Sequence, residues 1–458
     1  MSPSAQPITV ALLGAGARGE LNLGTLIKER PDLIKIVAVA EPHDGRRERF
    51  IKEYGIKREF AFRDYRELLE RPRLADAVIN ALPCRLHFES TPAALAAGYH
   101  VLLEKPMALT PGQCIVLTRS AAAKGRLLAV ATQNRYNRIY LRAKQLLAEG
   151  VVGRIMNIDC AENIGYWHFI LSYVRGIHHH SSMSHSFMMA KGIHDLDLIL
   201  WLTGLTPLRV SSFGSLRFFT PENAPAGAPE RCAEGCPAEA QCQFSALKQY
   251  LKPGRPDIPV QFFYGQSLEA VKDFVRHPRF RTMSSIVTQD DPSEAGIRKA
   301  LAETSFGRCV FRSPNNVVDH QCVNLEFEGG ATAAYSLSGF SLVWERTLNL
   351  HGTRGELRTA DFSGRLETRT FNPARVRRER FRYHGILHGG GDRVILREFA
   401  LSVQAGKPTP ILPLAEVSLE SHLLGFAAEK ARTEGTVIDL LEFRKLAEME
   451  ADKITARQ

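Results

Sequence analysis

Apolar residues recur along this chain in two rhythms. Up to about residue 132, short continuous apolar runs (Ile8 to Leu13, Lys35 to Ala40, Asp76 to Leu82, Tyr99 to Leu103, Leu127 to Thr132) alternate with stretches at helical spacing. Leu21, Leu23, Leu26 and Ile27 mark the first such stretch, and Tyr65 to Glu70, Thr91 to Ala97 and Pro111 to Lys124 follow. Strands alternating with helices in this way imply right-handed crossovers and a parallel sheet. After a helix ending near Glu149 the period changes. Ile155 to Cys160, Leu208 to Leu216, Val323 to Phe327, Thr332 to Leu337, Arg346 to Leu350 and Gly355 to Thr359 alternate apolar with polar, which predicts an antiparallel sheet. Helical spacing returns at about Arg393 to Ala405, Ala415 to Glu434 and Leu441 to Ile454. The expected fold class is α/β, with a parallel-sheet domain over 1–132 and an α+β domain over 133–458. Residues 218–310 are too long for a plain loop and read as an insertion with structure of its own.

Composition narrows the function classes. The chain has 458 residues, 44% hydrophobic and 24% charged, as in an ordinary soluble globular protein of two or three domains. It shows no run of about eighteen apolar residues, so no membrane span is expected. The opening Met-Ser-Pro-Ser-Ala-Gln-Pro lacks the basic and apolar regions of a secretory signal, which points to the cytoplasm. The formal charge is +10, but Lys and Arg are scattered and no basic run is interleaved with stacking aromatics. That argues against nucleic acid and leaves either an anionic small substrate or a solvated basic surface. Eight cysteines are too few for a disulfide scaffold.

Chemistry concentrates where the predicted parallel strands end. Gly14-Ala-Gly16-Ala-Arg-Gly19 follows the first strand at once and opens a helix. In that context the first glycine permits a tight turn, the second lets the backbone approach a pyrophosphate, and the third lets helix and strand pack closely. Glu41 closes the second strand, where an acid accepts ribose hydroxyls and repels a 2′-phosphate. Arg46 and Arg47 nearby keep NADP open beside NAD. Gly14, Glu41, Pro83 and Lys105 all fall at strand ends, where ligands of such sheets bind. Lys105 closes a buried strand between Glu104 and Pro106, and His194, in Lys191-Gly-Ile-His194-Asp195, is its expected counterpart across a nicotinamide. The candidate cofactor-binding residues are Gly14, Gly16, Ala17, Arg18, Gly19, Glu41, Arg46, Leu82, Pro83, His87, Glu104, Lys105 and Gln133.

The chain resembles the Gfo/Idh/MocA oxidoreductases. The matches are Gly14-x-Gly16-x-x-Gly19, Glu104-Lys105-Pro106, Gly150-Val-Val-Gly153-Arg-Ile and His194-x-x-Asp197-x-x-x-Trp201-Leu202, within residues 8 to about 205. Pro413 to Asp439 also looks like the closing helices of that family. The resemblance implies a Rossmann domain followed by a large, mainly antiparallel open sheet that covers the nicotinamide. It further implies oxidation or reduction of a sugar or polyol hydroxyl by the Lys and His of the two motifs, and homodimers or homotetramers built through the sheet. One position departs: the family commonly has an aspartate four residues before the histidine, and here that residue is Ala190, with Lys191 beside it. Three apart on a helix, Lys191 and His194 share a face. The departure suggests an altered proton relay or an anionic substrate.

His194 can then serve as base while Lys105 stabilises the developing alkoxide or relays its proton, and Lys191 can lower the pKa of Lys105. The plain alternatives are a buried helix-start histidine and a surface lysine. Tyr166, Trp167, Tyr173, Arg175 and His178, with Arg135 and Lys191, are the expected substrate contacts, since aromatics stack on sugar faces and an arginine fork holds an anion. The same histidine-rich stretch, through His179, His180 and His185, could instead bind a metal or be solvated loop. Cys232, Cys236 and Cys242 form C-x3-C-x5-C in a stretch with little apolar periodicity, and Cys309 is the proposed fourth ligand of a structural zinc; free thiols and an iron–sulfur cluster are the alternatives. Asp392 either lines the cleft or caps the helix that follows it. The function expected is NAD-dependent hydride transfer at a ring hydroxyl of a sugar derivative, most readily an anionic one. Its competitors are a glycosidase that oxidises the ring transiently and a non-catalytic NAD-dependent sensor.

Overall fold

The structure is a computed structural model that describes residues 6–182, 184–251, 287, 288, 291, 293–381 and 388–457. Six parallel strands form the first sheet: β1 (Ile8–Leu13), β2 (Ile34–Ala40), β3 (Ala61–Phe62), β4 (Ala77–Asn80), β5 (His100–Leu103) and β6 (Leu128–Val130), in the order β3-β2-β1-β4-β5-β6. Successive strands run outward from β1 on one side and from β4 on the other. The order therefore reverses between β1 and β4, the switch point at which sheets of this kind hold ligands beyond their carboxyl ends.

The core of this unit is not supplied by the first 136 residues alone. Val10, Leu12, Val39, Ile79 and Leu102 share a cluster with Ile395, Leu396, Phe399, Ala400 and Leu412. Ile395 and Phe399 are four apart on the helix Gly391–Ala405, so they face the sheet together. Residues 390–423 and 442–458 accordingly belong to the first compact unit, with 1–136, whereas a division at 132/133 assigns them to the second. Linear order hides this, because a helix carries no mark of which sheet it covers.

The second unit comprises residues 137–389 and 424–441. Among the described residues its sheet has nine strands: β7 (Ile155–Gly165), β8 (Pro207–Ser215), β9 (His320–Phe327), β10 (Thr332–Ser341), β11 (Glu345–Gly352), β12 (Gly355–Ala360), β13 (Arg365–Thr370), β14 (Arg375–Arg380) and β15 (Ile438–Asp439). The order is β14-β13-β12-β11-β7-β10-β9-β8-β15, and only the β7–β10 pair is parallel. One face carries Ile158, Cys160, Val323, Leu325, Tyr335, Leu337, Leu348 and Leu350, all buried, under the helix Ile193–Thr203. The sequence pattern misses β13 and β14. They alternate weakly because β14, Arg-Val-Arg-Arg-Glu-Arg, is an edge strand whose charges discourage pairing with another chain.

The described flanks of the 218–310 insertion have a small core of their own. Ala246 and Tyr250, on a short helix capped by Ser245, pack with Val287, Ile297 and Leu301 against Leu171. The remainder of that insertion, at 252–286, 289, 290 and 292, lies outside the described residues. Among the described residues no helix is long and apolar enough to cross a membrane.

Candidate functional site

In the first unit the three glycines of the turn after β1 have three separate physical roles. Gly14 has φ +86°, and a Cβ there would sit 2.8 Å from the Ala81 carbonyl at the end of β4. A Cβ on Gly19 would lie 1.9 Å from the Gly14 carbonyl, so the helical segment Ala17–Gly24 can start this close to the strand only with glycine. Gly16 differs: a Cβ there meets nothing within 4 Å. The backbone at Gly16 thus faces open space at the switch point, a cradle that a side chain would fill, while its two neighbours are fixed by packing. Glu41, buried at the end of β2, accepts from the Ala15 amide at 2.9 Å and from Arg46 at 2.7 Å. Arg47 is occupied as well, donating to the Glu41 carbonyl at 2.8 Å and pairing with Asp44.

The Glu104-Lys105-Pro106 turn after β5 is held from both sides. Glu104 takes a hydrogen bond from Arg18 at 2.6 Å, and Arg18 also pairs with buried Asp392. Gln133 completes that corner, its oxygen accepting from Arg18 and its nitrogen donating to the Ala131 carbonyl at 2.6 Å. His87 is buried, with ring nitrogens 2.8 Å from the Pro106 carbonyl and 2.9 Å from the Leu82 carbonyl. Burial lowers its pKa, so the ring is neutral and can donate to only one of the two. His422 clamps the far side. It accepts from the Met107 amide at 3.0 Å through Nε2, while Nδ1 lies 2.7 Å from the Ser418 carbonyl, which fixes the Nδ1–H tautomer. Lys105 itself is half-buried at the centre of this held turn.

In the second unit His194 is buried on the first turn of the helix Ile193–Thr203, its ring 5.2 Å from that of His388. Lys191, one turn earlier, is buried too. Its amine stands 3.4 Å from Glu162 of β7 and 3.8 Å above the ring of Trp344, whose indole N–H donates to the same carboxylate at 2.9 Å. Arg346 of β11 reaches Glu162 at 2.8 Å and Asp361 at 3.0 Å and pairs with Asp195, which accepts from Tyr335 at 2.8 Å. Three carboxylates against Lys191 and Arg346 leave this buried cluster one negative charge in excess. Burial therefore pushes the Asp361 carboxyl up to about 7 and raises Asp195, with Glu162 adding to both. Burial also lowers the Lys191 amine, although Glu162 opposes it.

Residues 8–132 match the model of an oxidoreductase family with an NAD-binding Rossmann fold, and 140–251 match the GFO/IDH/MocA C-terminal domain. The chain belongs to the GFO/IDH/MocA oxidoreductase family. YteT of Bacillus subtilis is 24% identical over 389 residues, covering 80% of this chain and 82% of that one. The scyllo-inositol 2-dehydrogenase (NADP(+)) IolW of Bacillus subtilis is 32% identical over 160 residues, 34% of this chain and 42% of that one. The D-glucoside 3-dehydrogenase of Escherichia coli is 30% identical over 152 residues, 33% and 42% respectively. Among solved structures, levoglucosan dehydrogenase in complex with NADH and levoglucosan superposes with a TM-score of 0.67 at 16% identity, over 95% of this chain and 100% of that one, which shows the fold.

Several expected site residues of this family member occupy other places. Arg175 and Tyr173 are fully packed into the second unit and turn away from solvent. Arg175 spends its donors on the Arg308 and Phe244 carbonyls and the Gln249 amide, so it is not a free fork for an anion. Tyr173 stacks on Phe169 at 5.4 Å and on His178 at 5.6 Å; Trp167 is buried, and Tyr166 lies edge-on to Phe244 at 6.2 Å. The apolar bulk that suggests sugar stacking is here used as core. His87 holds the 82–106 backbone, as described. Asp392 does not cap its helix: the N-cap is Gly390, and the carboxylate pairs with Arg18. Arg135 is buried in the turn Gln133–Tyr136, Leu82 donates to Asn80 at 3.4 Å, and Pro83 leads into the turn Cys84–Leu86. Cys232, Cys236, Cys242 and Cys309 line one cavity, but no three His, Cys, Asp or Glu side chains among the described residues stand in metal-holding positions.

Sequence reasoning missed Glu162, Trp344, Arg346, Asp361 and His422. Glu162 follows Ile158 and Cys160 at the same parity of β7, and Arg346 precedes Leu348 and Leu350 on β11. Charges at inward positions of alternating strands were the available signal. The carboxylate absent at Ala190 is thus supplied to Lys191 from a strand instead of from the preceding helical turn.

Proposed function

We propose that this protein is an NAD-dependent dehydrogenase of a ring hydroxyl on a neutral sugar or polyol. The observation that carries the reading is the open backbone at Gly16, framed by glycines that packing makes obligatory. The amides of Gly16 to Gly19 would hold the pyrophosphate, with Ala17 and Arg18 opening the helix, and Glu41, held by the Ala15 amide, would take the ribose hydroxyls. Leu82, Pro83, His87, Glu104 and Gln133 shape the adjoining strand ends. A bound nicotinamide would supply the hydride acceptor. Lys105 and His194 handle the hydroxyl proton, the imidazole taking it and the ammonium steadying the oxygen as charge develops. Lys191, oriented by Glu162 and Trp344, donates to a substrate oxygen. Glu41 favours NAD over NADP, because Arg46 is already bound to that carboxylate and is not free for a 2′-phosphate.

Neutral substrates fit better than anionic ones. The two cations that favoured an anion are both engaged, Arg175 in its own cluster and Lys191 with Glu162. The sugar class rests on relatives named scyllo-inositol 2-dehydrogenase and D-glucoside 3-dehydrogenase. The test is a panel of neutral sugars, inositols, sugar acids and nitrophenyl glycosides with NAD and NADP, read by reduced-nucleotide absorbance and by aglycone colour. Reduced nucleotide with a neutral polyol supports the reading. Turnover of acids alone would restore the anionic substrate, aglycone release without net reduction would make it a glycosidase, and binding without any turnover a sensor. We place it in the cytoplasm, where its eight cysteines, all free thiols, would remain reduced. A homodimer or homotetramer through the outer face of the nine-stranded sheet is its proposed assembly.

A further inference from the structure

At the base of the insertion lies a buried guanidinium with no carboxylate among its hydrogen-bond partners in the described residues. Arg175 has no exposed surface. Its Nε donates to the Arg308 carbonyl at 2.8 Å, Nη1 to Gln249 at 3.0 Å, and Nη2 to the Phe244 carbonyl at 2.9 Å and to Cys232 Sγ at 3.5 Å. The ring of Tyr250 lies 5.9 Å from the guanidinium carbon. Among the described residues none of these partners is a carboxylate. A guanidinium keeps its proton at any ordinary pH, and burying one without a counter-charge is expensive.

Four sulfurs surround the same place. Arg175, Cys232, Cys236, Cys242 and Cys309 line one small cavity, closed on its apolar side by Phe244 and Phe311; Glu239 also lines it, its carboxylate accepting from the Ser245 hydroxyl at 2.9 Å. The backbone holds these cysteines in a compact frame. The Cys232 amide donates to the Gly307 carbonyl at 3.0 Å and the Cys309 amide to the Glu230 carbonyl at 2.8 Å, across an antiparallel bridge between Arg231 and Arg308. Gly235, with φ +78°, turns the chain between Cys232 and Cys236, and the Cys242 amide closes on the Ala238 carbonyl at 2.9 Å. The thiols do not yet converge on one point, so ligation requires side-chain rotation on this fixed backbone.

We infer that Cys232, Cys236, Cys242 and Cys309 bind one zinc ion as a tetrathiolate, with Arg175 as its buried counter-charge. Each thiol gives up a proton to solvent as its sulfur binds, and no redox change or further reactant is needed. Zinc with four thiolates carries a net charge of about −2, which a guanidinium hydrogen-bonded to one of the sulfurs partly offsets. A closed site of this kind is structural. It ties the 228–245 segment to residues 307–311, beside the contact between Phe244 and Phe311 at 6.1 Å. The inference is independent of the substrate reading, since metal content is measured without turnover.

The test uses the full chain, purified without a histidine tag and without added metal. Elemental analysis should find about one zinc per chain. A thiol-specific reagent should leave Cys232, Cys236, Cys242 and Cys309 slow to react until a chelator is added, whereas buried Cys114 and Cys160 should stay slow throughout. Protein grown in cobalt should show the visible bands of a tetrahedral tetrathiolate. Cys236→Ser should lose most of its zinc; because that variant could fold poorly, Arg175→Met, which keeps all four thiols, is the second arm and should release zinc to chelator at least about tenfold faster. Less than half an equivalent of zinc, iron accompanied by acid-labile sulfide, or disulfides among these four cysteines would overturn the assignment.

Discussion

Gly16 and Gly19 look alike in a motif and differ in the folded chain. Gly19→Ala places a methyl against the Gly14 carbonyl and should lower the melting temperature with or without cofactor. Gly16→Ala meets nothing and should leave the melting temperature within a degree or two, while weakening NAD binding at least about tenfold in a fluorescence titration. Equal effects of the two on stability would refute the open-cradle reading. Lys105→Met should abolish turnover and leave NAD affinity largely intact; unchanged turnover would remove Lys105 from the chemistry. Asp361 offers a pH test. Its carboxyl is raised from the ordinary 3.8 to about 7 by burial, so between those values the folded state holds a proton that the unfolded state has lost. Stability therefore falls as pH rises through that window and levels off above it. The melting temperature of Asp361→Asn relative to the unaltered protein should accordingly improve from pH 5 to pH 7 and then stay flat. These residues were unequally legible: the glycines, Glu41 and Lys105 stand at strand ends that periodicity alone locates, whereas the burial of Arg175 depends on Phe244, Gln249 and Arg308, more than sixty residues away.

At the level of elements, agreement follows the strength of the pattern. The helix Pro111–Lys124 was legible to the residue because Thr110 caps it, proline opens it and Gly125 ends it in the left-handed region. Strands β7 to β12 were found from alternation, and β13 and β14 were not, since their exposed charges leave little period to read. What alternation could not reveal is which helix braces which turn. The helix Ala415–Glu434 reads as an ordinary amphipathic segment, yet through His422 it holds the backbone next to Lys105. His422→Ala would leave the Met107 amide without that acceptor, a loss of about 1–3 kcal/mol for a buried donor. The expected result is a lower melting temperature, with kcat reduced more than the affinity for NAD. If both were unchanged, the clamp would have no role.

At the level of the whole chain, the sheet of the second unit has one face left exposed among the described residues. Phe213, 66% exposed, stands in register beside exposed Cys322, which pairs with exposed Ser336 on β10. A flat row of this kind suits a second copy of the same sheet. Phe213→Glu should shift the mass measured by light scattering toward the monomer, and an unchanged mass would place the contact elsewhere. From the sequence one division is expected, at 132/133, and the return of residues 390–423 and 442–458 to the first unit could not be foreseen, because contact between a distant helix and the first sheet leaves no local trace. That returning helix has a consequence for how the protein comes into being. The nucleotide-binding half lacks Phe399 and Leu412 until some 260 residues after its last strand have been synthesised. A growing chain therefore exposes the flank of β1 and β2 throughout translation of the second unit. Ligand competence should arise late, and fragments cut near residue 136 should be sticky and blind to nucleotide.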